Sequence, residues 1–139
     1  MRRAFTLIEL AITLGLVSIL SAIAFPRVGR LLDGIHVSGA VREIASVFNT
    51  ARHLAIARSS RSTVEIDAAA KTLHVVVDGD TVRTRDIGVV HDVTLETTRA
   101  RMSYSASGLG YGAANLSVVV RRKSSADTVF VSRLGRLRH

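Results

Sequence analysis

Residues 5–25 read FTLIELAITLGLVSILSAIAF, apolar except for Thr6, Glu9, Thr13, Ser18 and Ser21. A helix of about 20 apolar residues crosses a hydrocarbon core of roughly 30 Å, so the run has the length of a membrane span. Pro26 follows it, with Gly29, Gly34 and Gly39 behind. A proline inside a helical pattern removes a backbone hydrogen bond, which predicts a kink or a locally melted stretch there. Further on, Val41, Ile44, Phe48, Ala51 and Ala55 recur at spacings of three and four, while Arg42, Glu43, Asn49, Arg52 and His53 fall mostly off that stripe. This is the pattern of an amphipathic helix reaching about Arg58, with an apolar face to lay on a sheet. Arg52 and Arg58 read as solvated groups, and Ser59-Ser60-Arg61-Ser62 ends the helix.

At Thr63 the period changes to two. Segments 63–67, 72–78, 81–85, 89–97, 101–105, 116–122 and 128–133 alternate and are rich in Val, Thr and Ile, as strands are. Asp78-Gly79-Asp80 predicts one tight hairpin turn and Ser124-Ser125-Ala126-Asp127 another. Short consecutive strands of this kind build one antiparallel sheet. The expected fold is α+β: a long N-terminal helix, apolar in its first half and amphipathic in its second, packed on that sheet. The expected segments are 5–27 for the apolar helix, 28–61 for its amphipathic continuation and 62–139 for the β domain.

With 139 residues the chain has room for one modest domain. It has no Cys, which excludes a disulfide or Cys-zinc scaffold, a Cys nucleophile and a lipidated cysteine. No G-x-S-x-G frames a serine, and the five histidines never fall at H-x-x-x-H spacing. Gly108, Gly110 and Gly112 form G-x-G-x-G between two strands, which fits a turn and not a dinucleotide loop. Asp78, Asp80, Asp86 and Asp92 lack the spacing of a calcium loop and read as turn and strand-end acids. The chain therefore reads as a protein that is not an enzyme and takes no cofactor or metal.

The acid in the apolar run decides between three readings of the N-terminus. A secretory signal peptide is nominally satisfied by Arg2-Arg3 and by Ala22-Ile23-Ala24, but its apolar region would carry Glu9. A charge at mid-membrane costs roughly 2.5–3.5 kcal/mol on insertion scales. A plain anchor explains the length and leaves Glu9 without a role; with arginines on both sides of the run, charge does not set its orientation. Cleavage between Ala4 and Phe5 would free an α-amino group four residues before Glu9, about 6 Å along one helix face. The amine and the carboxylate could then neutralise one another, within a chain or between staggered neighbours.

Arg2-Arg3-Ala4 followed by FTLIEL resembles the type III signal of type IV prepilins and type II secretion pseudopilins. The resemblance implies a leader of residues 1–4, cut before Phe5 by a prepilin peptidase that also methylates the new amine. It places on Glu9 the role of pairing with that amine during assembly, and on Pro26 the bend of pilin helices. Family members usually carry Gly before the cut, where this chain has Ala4. The implied location is the inner membrane, single-pass, with the C-terminal domain in the periplasm. The implied partners are other pilin or pseudopilin subunits.

Nineteen Lys+Arg oppose eleven Asp+Glu, and the excess is not spread evenly. Residues 5–98 hold nine basic and ten acidic groups, whereas residues 99–139 hold eight basic groups against Asp127 alone. Such asymmetry suggests an anionic partner, although solvated faces also look like this. Arg99 and Arg101 are expected on one strand face, as are Arg136 and Arg138 if that segment is extended.

The tail SRLGRLRH, with SASGLGYG and SVVV before it, resembles the C-terminal half of the GspH/FimT group of minor pilins and pseudopilins. In that group a glycine-containing loop precedes two strands ending in a Gly-Arg motif, matched by Gly135-Arg136-Leu137-Arg138. Two functions are implied. One is a structural, GspH-like minor pseudopilin of a type II secretion pseudopilus. The other is a FimT-like minor pilin binding DNA for natural transformation through Arg136 and Arg138, with Arg121, Arg122 and Arg133 as further candidates.

Overall fold

The computed structural model describes residues 6–112 and 115–138. The expected leader, Ala4 and Phe5 lie outside the described residues. The chain forms two compact units, one ending at Leu32 and the other beginning at Asp33, and helix α1 (Leu7–Ala57) contributes to both. That boundary falls inside the expected segment 28–61.

In the first unit α1 begins on a side-chain cap, with Thr6 Oγ1 accepting the Glu9 N–H at 3.3 Å. Thr-x-x-Glu is the spacing of a capping box, and Glu9 lies in the first turn, where the helix dipole favours an acid. Thr13 and Ser18 donate their hydroxyls to the carbonyls of Leu10 and Leu14, each at 2.8 Å. Both polar groups are thus satisfied by the helix itself. Leu7, Ile12, Leu16, Leu20 and Phe25 are all exposed, and α1 is long and apolar enough to cross a membrane. Pro26 lies inside the helix.

The second unit has the core. Val37, Ala40, Val41, Ile44, Phe48, Ala51 and Ala55 are the buried stripe of α1, close to the spacing the sequence predicts. Alanines at three of these positions let a sheet approach the helix closely. The helix ends in a Schellman motif: Ser60 N–H donates to Ala55 O and Ser59 N–H to Ile56 O, with Ser59 at φ 48°. Ser62, fully buried, donates its hydroxyl to Ala51 O at 2.6 Å and fixes the turn into the first strand.

Two antiparallel sheets, not the single one expected, close the core. In chain order the elements are β1 (Ser62–Asp67), β2 (Thr72–Val77), β3 (Asp80–Asp86), α2 (Ile87–His91), β4 (Thr94–Thr97), β5 (Arg101–Tyr104), β6 (Gly110–Tyr111), β7 (Leu116–Arg122), β8 (Ser125–Val131) and β9 (Leu137–Arg138). One sheet has the order β3-β2-β1-β5-β6 and the other β4-β7-β8-β9. Strand alternation puts Val64, Leu73, Val75, Met102 and Tyr104 of the first sheet, and Val118, Val120, Val129 and Val131 of the second, into one shared core with α1.

Asp78 and Gly79, both at positive φ, make the two-residue turn between β2 and β3 that the Asp-Gly pair predicts. The ladder between these strands slips by one residue at Val75/Val76. Inside the expected strand 89–97 the chain instead forms α2, capped by Asp86, which accepts the Val89 N–H at 2.8 Å. Asp92 ends it in the left-handed region. The β7–β8 turn is Lys123-Ser124, so Ser125 already belongs to β8 and not to the expected turn.

Candidate functional site

The arginines of the last third divide into two groups. Arg122 is a core-edge residue. Its Nε lies 3.0 Å from Asp33 Oδ1, its NH1 donates to His91 O at 2.9 Å, and its NH2 lies 3.3 Å from Asp92 Oδ2. A guanidinium with every arm engaged ties α1, α2 and β7 together and is not offered to a ligand. Arg121 is exposed and lies 3.6 Å from Glu96 Oε1 across β4 and β7. Neither is brought to the tail.

The second group surrounds an open cleft of about 920 Å³ at the other end of β7. Arg99, Arg136 and Arg138 line it together with Ser117, Phe130 and Asn115, and among the described residues no acidic side chain lines it. Arg99 lies in the loop after β4 and does not share a strand with Arg101, contrary to expectation; Arg101 is in β5. Arg136 precedes β9 and Arg138 belongs to it, and both reach the same cleft. Arg133 is exposed beside the cleft, where its N–H donates to Asn115 Oδ1 at 3.1 Å and its carbonyl accepts from Gly110. Phe130 is 56% exposed, and sequence reasoning did not single it out. The alternation that buries Val129 and Val131 puts Phe130 on the outer face, so the signal was available.

The glycine of the Gly-Arg motif has a packing reason. Gly135 has φ +71°, and a Cβ there would lie 3.3 Å from Gly108 O and 3.5 Å from both Arg52 Cδ and Tyr104 Cε1. Gly108, at φ +75°, would bring a Cβ to 2.7 Å from Ile56 Cδ1. The loop before β6 and the loop before β9 are therefore pressed together against α1. Arg52, expected to be solvated, instead lies half-buried beside both glycines and Tyr104. Burial pushes the Tyr104 hydroxyl up to about 12, with the nearby Arg52 charge pulling the other way. The turn at Ser132–Arg136 is closed by Gly135 N–H to Ser132 O at 2.8 Å, Ser132 N–H to Arg136 O at 2.9 Å and Arg136 N–H to Ser132 Oγ at 3.1 Å. It fixes the backbone from which Arg136 and Arg138 project.

Glu9 is exposed on the apolar half of α1, while its expected partner, the Phe5 amine, lies outside the described residues. Among the described residues no three of His, Asp or Glu come together as a metal site. Asp78 is a turn residue, Asp86 and Asp92 are the caps of α2, and Asp80 opens β3.

Residues 1–25 match the prokaryotic N-terminal methylation motif. Comparison with curated proteins gave no significant match. Among solved structures, the chain is similar to the type IV minor pilin FimU of Pseudomonas aeruginosa (strain PAO1). In one crystal form the match has 14% identity and a TM-score of 0.63 over 73% of this chain and 86% of that one. It is also similar to the minor pseudopilin EpsH from the Type 2 Secretion System of Vibrio cholerae, with 11% identity and a TM-score of 0.60 over 74% and 94% of the two chains. The chain thus carries the N-terminal methylation motif and shares its fold with minor pilin and minor pseudopilin structures.

Proposed function

We propose that the protein is a minor subunit of a pilin-class filament. It is held in the inner membrane by the apolar half of α1, with its β domain in the periplasm, and is processed between Ala4 and Phe5 before assembly. One observation carries this reading: residues 7–25 form a helix whose apolar side chains are all exposed, whose Thr13 and Ser18 hydroxyls are satisfied by its own carbonyls, and whose sole charge is Glu9. A charge in such a setting is expensive until an opposite charge meets it, and the amine freed at Phe5 is that charge. Neighbouring subunits, the prepilin peptidase and the membrane are the partners. Mass spectrometry of the mature protein tests the reading. It should give an N-methylated Phe5 as first residue, and an intact Met1 or a start at Phe25 would overturn it.

The assembly we favour is the pseudopilus of a type II secretion system, with the protein as a GspH-like structural subunit. Its support is that much of the tail has structural work: Arg122 bridges three elements, Arg121 faces Glu96, and Gly135 is required by packing. A second reading, a FimT-like minor pilin that binds DNA, is favoured by the cleft with three arginines and no acidic side chain among its described residues. Salt titration separates them. If Z arginines meet duplex phosphates, log K falls against log salt with a slope of about −0.9Z. Unchanged low-salt binding after Arg136→Ala with Arg138→Ala would clear the tail of that role, and no binding at all would leave the structural subunit alone.

A further inference from the structure

The cleft holds a feature that charge does not account for. Phe130 of β8 is directly opposite Arg138 of β9 on one side and Ser117 of β7 on the other. Ser117 is in turn bonded to Thr98, whose side chain accepts the Ser117 N–H at 3.1 Å, and Arg99 follows. Across the face of the sheet the order is therefore Arg138, Phe130, Ser117, Thr98, with Arg99 at the far rim. Strands lie about 4.8 Å apart, so the row from Arg138 to Thr98 is roughly 14 Å wide. A cation stands at each rim and an uncovered phenyl ring lies between them.

We infer that Phe130 is a stacking platform and that the cleft prefers single-stranded over duplex nucleic acid. The inference rests on the DNA-binding reading above and names the form of nucleic acid that its site takes. Two properties of the cleft must be met by one ligand. Three guanidinium groups, with no competing side-chain carboxylate among the described residues of the lining, call for several negative charges. An exposed aromatic ring between them calls for a flat or apolar group carried by the same chain.

An unpaired strand supplies both, because its phosphates reach the arginines while a base turns its face onto the ring. Guanidinium groups add stacking and bidentate phosphate contacts of their own. A duplex supplies only the first property. Its base faces are stacked on one another, so it offers phosphates to Arg99, Arg136 and Arg138 and nothing to Phe130. An acidic peptide supplies charge, but no ring at each charged step.

The chain has no Trp, so Phe130→Trp creates a single reporter in the full-length protein, which is kept in detergent micelles. The probes are a 12-nucleotide mixed-sequence DNA strand, the duplex of the same sequence, and polyglutamate of matched charge. The single strand should quench the Trp emission, and the duplex should bind without doing so. By fluorescence anisotropy at fixed salt, the unsubstituted protein should bind the single strand about 10-fold more tightly than the duplex. Phe130→Ala should abolish that preference while leaving duplex affinity within about 2-fold, since one stacked base is worth that order of affinity. Phe130→Tyr should retain it.

If both nucleic acids bind equally and Phe130→Ala changes neither, the stacking inference fails and the DNA-binding reading survives. Polyglutamate binding as tightly as the single strand also overturns the inference, making the cleft a general polyanion surface. No binding of either nucleic acid at low salt removes the DNA-binding reading, and the inference with it.

Discussion

Arg122 Nε lies 3.0 Å from Asp33 Oδ1, with only 16% and 7% of the two side chains exposed. The two residues are 89 positions apart in the chain, and their contact fixes the start of the second unit's helix to the end of β7. The pair is asymmetric. Without Arg122, Asp33 keeps Lys123 Nζ at 3.9 Å as its one cation among the described residues, whereas without Asp33 the guanidinium keeps Asp92 and the His91 carbonyl. Arg122→Ala should therefore cost about 3 kcal/mol and Asp33→Ala clearly less, because stranding a mostly buried charge is the larger penalty. Urea denaturation of the full-length protein in micelles, followed by circular dichroism, reads the difference. The reverse order would mean that Arg122 is held mainly by α2.

The glycine pair gives a second expectation. Gly135→Ala and Gly108→Ala each force a side chain into a left-handed backbone against close neighbours, so each should lose about 1–3 kcal/mol. Gly29→Ala is the control: nothing lies within 4 Å of a Cβ there, and a helical glycine replaced by alanine gains roughly 0.5–1 kcal/mol of helix stability. Equal effects at all three positions would show that the loops are not pressed onto α1 as described.

Tyr104 sets an alkaline limit. Burial raises its folded-state pKa to about 12, above the ordinary value of about 10 for a tyrosine, so the neutral phenol is the form that the fold favours. That contribution is complete below about pH 10 and is lost as pH climbs from 10 towards 12. Thermal melts at pH 9 and pH 11.5 should show a drop that Tyr104→Phe largely removes. A drop of the same size in the variant would assign it to other groups.

Assembly should depend on Glu9 separately from processing. Glu9→Val leaves the residues around the expected cut intact, so mature protein beginning at Phe5 should still form. Its recovery in sheared filament fractions should fall at least 10-fold, because no carboxylate remains to meet a neighbour's amine. Normal recovery would leave Glu9 with its capping geometry as its only role.

The sequence was most legible where periodicity was long. The stripe from Val41 to Ala55 and the Val-rich strands emerge close to their expected bounds, because burial on one face dictates them. It was least legible where short-range and long-range chemistry compete. Ile87-Gly88-Val89-Val90-His91 has the composition of a strand, yet Asp86 caps it as a helix and Asp92 adopts the left-handed end that short polar residues tolerate. Arg122 looked like its neighbours because nothing local marks Asp33 as its partner. Arg52 looked solvated because its position beside the stripe does not reveal the two glycine loops that fold over it. Expecting one sheet where there are two has the same origin: alternation shows that a strand has an inner face, but not which strand lies beside it.

The slip in the ladder at Val75/Val76 bears on how copies of the chain behave when crowded together. β3 is an edge strand of seven residues, long enough to recruit another chain by backbone pairing. The bulge lies in β3 itself, with Val82 as the extra residue, and Arg83 and Arg85, opposite Val75 and Leu73, extend to Thr50 and Glu43 of α1. An edge guarded in this way is a poor template for amyloid-like growth, so copies of the chain can lie side by side without joining through it.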